Sequence, residues 1–399
     1  MNAGFTDEEL KSGYRRYCLS LTGENSHVIE LELAQGSLSI GTKGISEGEF
    51  DIWVDPGAPI NWDALNGHYT GYGAMHKEQY PYGNWPRWIY YSGADIGFAV
   101  WTSKRRTEDF YWMPTENACV DLEKAMIDHL SLDLKKKVKV TVGPEISELI
   151  LNGDPTNLEI KVNGGNPGVD FEMNGYSHQG KTYGIPDIKD LQDVESLCVG
   201  VSPLGDPFDI ESLKQFRNLK TLQLVGNICN ANALAELKGL ESLSFFSVPD
   251  LTNLPQLKCW KHLNNFTGVD IDEIVGKDIK KQLKTLKKER KIESIVSGLR
   301  SKTWFATEYE NPFKHWEGKQ GKKASKLYRV FLKEIKKAPD EETVQGCIIQ
   351  FVEAFNTFDD IETVEREDIW DALQKLGMAS QLEITRDTLM QWFDEVRDY

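Results

Sequence analysis

Residues 219–227, Leu219-Lys-Thr-Leu222-Gln-Leu224-Val-Gly-Asn227, decide how the chain is read. Leucine stands at the first, fourth and sixth positions, and asparagine at the ninth. The Leu222-x-Leu224 core has the period of two that a strand shows when one of its faces is buried. The same frame fits Val194, Leu197 and Val199 upstream, Leu240, Leu243 and Phe245 downstream, and Leu263 and Phe266 beyond them, so its first positions are 25, 21 and 23 residues apart. Asn227 would satisfy backbone groups where the chain turns; Ser202, Val248 and Ile271 hold that place in the other copies. The segments between, such as ANALAELKGL (231–240), carry apolar residues that can close a second wall. One such unit cannot bury its own face, so several must stack.

The frame resembles the leucine-rich repeat, whose period is about 20–29 residues. The resemblance implies a short, degenerate solenoid over 151–275, with LEIKV (158–162) and VDFEM (169–173) as edge or capping strands. The alternative is leucines recurring by chance in an α/β domain. Because side chains alternate along a strand, Ser196, Cys198, Thr221, Gln223, Ser242, Ser244, Asn265 and Thr267 share the outward face. That face is nearly uncharged.

The flanks differ in character. Residues 1–150 read as an aromatic-rich α+β domain. VIELELAQGSLSI (28–40) has strand alternation broken by a Gly turn, VDLEKAMIDHLSLDL (120–134) has helical spacing at Leu122, Met126 and Leu130, and KKKVKVTVG (135–143) reads as a strand. Rings crowd 50–115, interrupted by Gly and Pro. Residues 276–399 read as a helical domain. The stretch 272–299 carries Ile274, Ile279, Leu283 and Leu286 at helical spacing, and further helices are expected at 324–337, 341–355, 366–376 and 385–398, the last capped by Thr385. The expected fold is therefore α+β: a β-rich N-terminal domain, a short solenoid and a C-terminal helical domain.

The formal net charge of the 399 residues is −16. Residues 277–337 hold 19 Lys/Arg against 7 Asp/Glu and residues 339–399 hold 4 against 16, so the two segments cancel and the excess belongs to 1–276. Such a surface repels nucleic acid and anionic lipid and permits a basic partner; acidity that simply keeps a protein in solution is the plainer reading. The lysine run 280–291 has no interleaved aromatics and is expected to pair with the acidic helices. No apolar run approaches the length of a membrane span, and MNAGFTDEELKSGYRR (1–16) lacks an export segment, so a cytoplasmic protein is expected. The six scattered cysteines read as reduced thiols rather than a zinc site or disulfide framework.

No nucleotide-binding loop, nucleophile elbow or zinc-protease motif occurs. His68 and His76, with Asp63 nearby, are the one constellation in which acid–base or metal chemistry can be imagined; packed rings are the plainer reading. The acidic run 355–368, with Asp359 and Asp360, lacks the register of a calcium loop. No catalytic residue, cofactor or metal is therefore expected.

FVEAFNTFDDIETVEREDIWDALQKL (351–376) is similar to the helical tail of bacterial polymorphic-toxin immunity and related proteins. The resemblance implies a non-catalytic binder that occludes one cognate, basic toxin domain. Its contact residues are expected at Ser196, Thr221, Gln223, Ser242, Ser244, Asn265 and Thr267, together with Asp359 and Asp360. Rings at 60–115 could serve as anchors. The competing reading is an enzyme with its site in the N-terminal domain, for example one that reverses a toxin's modification.

Overall fold

Thr221–Val225 is a strand that buries Leu222 and Leu224 and turns Thr221 and Gln223 outward. The strands on either side run parallel to it and in register. Leu197, Leu222, Leu243 and Phe266 form one buried row, and Val199, Leu224 and Phe245 lie in the next. Parallel neighbours need a return segment between them, and the residues separating the copies of the frame provide it.

A computed structural model, describing residues 6–70, 80–173, 180–316, 318–358 and 361–398, shows the same ladder continuing far beyond the frame. The strands are β1 Tyr14–Leu19, β2 His27–Glu32, β3 Ser37–Thr42, β4 Ile52–Val54, β5 Trp88–Ser92, β6 Thr107–Met113, β7 Ala118–Leu122, β8 Ile127–Asp133, β9 Val138–Val142, β10 Glu148–Asn152, β11 Leu158–Val162, β12 Gly168–Glu172, β13 Ser196–Gly200, β14 Phe208–Asp209, β15 Thr221–Val225, β16 Ile228–Cys229, β17 Ser242–Phe246, β18 Asn265–Asp272 and β19 Glu293–Arg300. Twelve of them make one sheet in the order β19-β18-β17-β15-β13-β12-β10-β8-β6-β5-β3-β4. Every pairing within it is parallel. Strands β7, β9 and β11 form a second parallel sheet on the return path, and β1–β2 is an antiparallel hairpin.

This corrects the expected α+β arrangement of a separate β-rich domain followed by a short solenoid at 151–275. The chain is mixed α/β, with one twelve-stranded parallel sheet from Ser37 to Arg300 and helices after it. The reason lies in the upstream strands. Phe110, Leu130, Leu149 and Val169 extend the buried row that Leu197 and Leu222 continue, so the segment before the frame shares its core rather than forming one of its own. The helix expected at 120–134 is two strands, β7 and β8, joined by a turn. Val120 and Leu122 alternate in one, and Leu130 and Leu132 in the other. The stretch 272–299 also divides, into helix α3 (Glu273–Glu289) and β19, which pairs with β18.

The chain separates into two compact units, Met1–Ser301 and Lys302–Tyr399. The second contains α4 Lys302–Glu308, α5 Gly318–Ile335, α6 Glu341–Phe355, α7 Thr363–Ala379 and α8 Arg386–Val396, numbered after α1 Asp7–Ser12 and α2 Phe98–Thr102 of the first. Its core gathers Phe331, Ile348, Phe351, Phe355, Leu373 and Trp392. Thr385 caps α8 through the Thr388 N–H at 3.1 Å. No helix among the described residues is long and apolar enough to cross a membrane.

Turn chemistry holds the ladder in step. Gly226 has φ +97°, and a Cβ there would lie 1.9 Å from the Val201 carbonyl oxygen of the preceding turn. Beside it, Asn227 donates from Nδ2 to the Gly205 carbonyl at 2.8 Å, tying one turn to the one before. Gly226→Ala is therefore expected to cost about 2–3 kcal/mol, from strain and a backbone clash. Asn227→Ala is expected to cost about 1 kcal/mol, from an unmet carbonyl. Urea denaturation monitored by circular dichroism measures both, and equal stability of wild type and Gly226→Ala would contradict the assigned turn.

Candidate functional site

The alternation that buries one face of the sheet fixes what the other presents. Two outward rows cross it. The first runs Ser37, Trp88, Asp109, His129, Glu148, Gly168, Ser196, Thr221, Ser242, Asn265 and Glu293. The second runs Ser39, Tyr90, Tyr111, Ser131, Ile150, Asp170, Cys198, Gln223, Ser244, Thr267 and Ile295. Neither row contains a lysine or an arginine.

Seven of the residues expected to contact a partner stand together on this face. Ser196, Thr221, Ser242 and Asn265 are adjacent in the first row, and Gln223, Ser244 and Thr267 in the second. Asp359 and Asp360 lie outside the described residues. Of the acids near them, Glu362 and Glu365 cap α7, Asp368 accepts from Trp316 Nε1 at 2.8 Å, and Asp371 pairs with Lys375 at 2.8 Å.

The frame accounts for only part of the face, so the sequence reading of it as nearly uncharged missed the upstream strands. These carry a band of titratable groups. His129 Nδ1 lies 2.9 Å from Asp109 Oδ1 on one neighbouring strand, and its Nε2 lies 3.8 Å from Glu148 Oε2 on the other. The Asp109 carboxylate can only accept, so the imidazole proton stands on Nδ1. Farther along, Asp170, Glu172 and Cys198 bring two carboxylate oxygens and a sulfur within 4.8 Å of one another. Among the described residues this is the donor set that could hold a metal ion, a borderline ion such as zinc suiting the sulfur.

Burial pushes the Asp170 carboxyl above the usual range; contact with Cys198 opposes that shift and the Glu148 charge adds to it. Burial, reinforced by the Asp170 charge, likewise pushes the Cys198 thiol up, so it is a poor nucleophile. Gln223 Nε2 donates to Cys198 Sγ at 3.3 Å. Asp170 Oδ1 is shut away from solvent without a hydrogen-bond donor.

Aromatic rings close the other end of the band. Tyr90, 46% exposed, meets Tyr111 edge-to-face at 6.1 Å between centroids. Trp88, 36% exposed, donates to Glu108 Oε2 at 3.1 Å and carries the Arg87 guanidinium over its ring at 4.8 Å. Most other rings of this region are core: Trp62, Trp85, Tyr91, Trp101 and Trp112 are all buried.

His68 is packed. It meets Tyr17 edge-on at 4.6 Å, its Nε2 lies 3.0 Å from the Ala64 carbonyl oxygen, and burial lowers its pKa. Asp63 is exposed and accepts from Asn66 at 3.1 Å, while His76 lies outside the described residues. In α3, Lys277 pairs with Glu273 at 3.1 Å; among the described residues Lys280, Lys281, Lys284, Lys287 and Lys288 form no ion pair.

Compared with known proteins, the chain matches no family model, no curated protein and no solved structure.

The state of Asp170 gives a stability prediction. Its folded pKa is raised, so the folded protein binds more protons than the unfolded chain between the two pKa values. Stability therefore falls as pH rises through that window and stays lower above it. Asp170→Asn removes the ionised form, and its Tm should exceed that of wild type at pH 7.5. The difference should shrink towards zero as the pH drops below the ordinary aspartate range. Differential scanning calorimetry across that range checks the sign; a lower Tm for Asp170→Asn at pH 7.5 would contradict it.

Proposed function

We propose that this is a cytoplasmic immunity-type protein, which binds and occludes a cognate, basic bacterial toxin domain through the outward face of the twelve-stranded sheet. The face itself carries the reading. It joins exposed rings, a carboxylate band and a field of short hydroxyl and amide side chains, with no lysine or arginine in its two rows. From β5 to β18 it crosses nine strands, about 40 Å at the usual strand spacing. A surface of that width accommodates a standard interface of about 800 Å² per partner. Trp and Tyr are frequent hot spots in such contacts. The similarity of 351–376 to immunity-protein tails supplies the link to a toxin.

Sign and placement of charge suit this role. Acids on the binding face accelerate encounter with a basic partner, and the effect fades once salt shortens the screening length. Purification from the native host followed by mass spectrometry should recover a stoichiometric basic protein bearing a toxin domain. The association rate of that pair, measured by stopped flow, should fall about tenfold or more between low and high salt while the dissociation rate changes little. Recovery of no partner, together with turnover of a small substrate by the purified protein, would overturn the reading in favour of an enzyme.

A further inference from the structure

We propose that the cavity at the carboxyl ends of β3, β4, β5 and β6 is a binding site for a small hydroxylated amine. The site lies apart from the outward rows, so it goes beyond the protein-binding reading and does not depend on it.

Topology marks the place. From β5 to β19 the strands of the large sheet are added in one direction only. β3 breaks that order: β4 lies on one side of it and β5 on the other, so the chain reverses there. In open parallel sheets, connections that leave in opposite directions hold a crevice open outside the carboxyl ends of the strands, and ligands bind at such switch points. A cavity of about 360 Å³ lies at that end of β3, in the size range of a small-molecule site. Segments following all four strands line it: Ile45 after β3, Pro56 and Pro59 after β4, Asp95 after β5 and Glu116 after β6.

The lining selects the chemistry. Tyr91, 1% exposed, belongs to the buried row of Ile40 and Trp112, and it lines the cavity. Its hydroxyl oxygen accepts from the Asp95 N–H at 2.8 Å, and among the described residues its own proton has no acceptor. A buried phenol donor calls for one, and an oxygen on a ligand supplies it. The Asp95 carboxylate is held by Trp62 Nε1 and the Gly97 N–H, each at 2.8 Å, and by the Ile60 N–H at 3.2 Å. Backbone amides of this kind hold phosphate in other crevices; here the protein's own carboxylate occupies them.

All three of those donors are neutral, so the Asp95 carboxylate meets no cation among the described residues. Glu116 forms no ion pair among them either, Asp55 at the rim is paired with Lys43 at 2.9 Å, and the cavity lining contains no lysine or arginine. An ammonium suits this wall and an anion is repelled by it. Ile45, Val54 and the two prolines offer apolar surface to the carbon skeleton.

The test is isothermal titration calorimetry of the full chain with D-glucosamine, glucose and glucuronate, which share one ring and differ in charge. At a pH where the amine is protonated, glucosamine should bind, glucose should bind more weakly and glucuronate should not bind. Glu116→Gln should weaken glucosamine binding about three- to tenfold and change glucose binding less than about twofold. Asp95→Asn should act in the same direction. Tyr91→Phe should weaken glucosamine and glucose alike, by about fivefold, because both lose one neutral hydrogen bond. Glu30→Gln, on the hairpin, should leave all three unchanged.

Thermal unfolding of each variant establishes that it is folded. Glu116 is exposed, so Glu116→Gln keeps the test standing where a Tyr91 or Asp95 variant unfolds. Glucuronate binding as tightly as glucosamine would overturn the proposal. So would glucosamine affinity unchanged in Glu116→Gln, or no glucosamine binding at millimolar concentration. Equal loss in Glu30→Gln would assign the binding to the chain's net charge of −16 and overturn it too.

Discussion

In-register parallel pairing is the constraint on which the first unit depends. Each strand places the same position of its own short sequence beside the equivalent position of its neighbour, so a row of Phe110, Leu130, Leu149, Val169, Leu197, Leu222, Leu243 and Phe266 runs through the core without interruption. A slip of one residue at any strand would send its apolar pair to solvent and its polar residues into the core. Turn geometry enforces the register: Gly226 lets one turn approach the last, and Asn227 ties it there.

The same pairing makes the outward face a continuous surface rather than a collection of loops. The buried rows lie on the opposite face, so the outward side chains are not part of that core. They can then depart from what stability favours. Asp170 holds a half-buried carboxyl with one oxygen, Oδ1, that receives no donor, and Cys198 sits beside two carboxylates. Charge and burial of this kind on one face of a rigid sheet suit recognition more than packing.

Legibility from sequence was uneven, for physical reasons. The frame at Leu219–Asn227 marks its strand because leucine fills both inward positions, Leu222 and Leu224, and the glycine–asparagine turn follows directly. Upstream, Phe110-x-Trp112, Leu130-x-Leu132, Leu149-x-Leu151 and Val169-x-Phe171 repeat the same two-residue alternation at steps of 20, 19 and 20 residues. Phe110, Trp112, Val169 and Phe171 replace leucine in two of these pairs, and the intervening strands β7 and β9 add alternating apolar residues that imitate helical spacing across a turn. That is how Leu122, Met126 and Leu130 came to resemble one helix face. Following the paired apolar positions rather than the leucines would have extended the ladder, and with it the carboxylate band of Asp109, Glu148 and Asp170. The Asp170–Cys198 juxtaposition depends on register between segments 28 residues apart, which no local pattern encodes. Helices α5 to α8 were legible because each carries its own apolar stripe, with caps at α6, α7 and α8, whereas α4 and the first turn of α5 lie in a ring- and glycine-rich stretch that reads as a loop.

The central claim is that the outward sheet face is buried against a protein partner. Hydroxyl-radical footprinting of the protein, alone and in complex with the partner recovered from its host, tests this most directly. Trp88, Tyr90 and Tyr111 should lose labelling in the complex, while Tyr14 and Tyr82, each 48% exposed and off that face, should label as before. Undiminished labelling of all three face rings in a saturated complex would contradict the account.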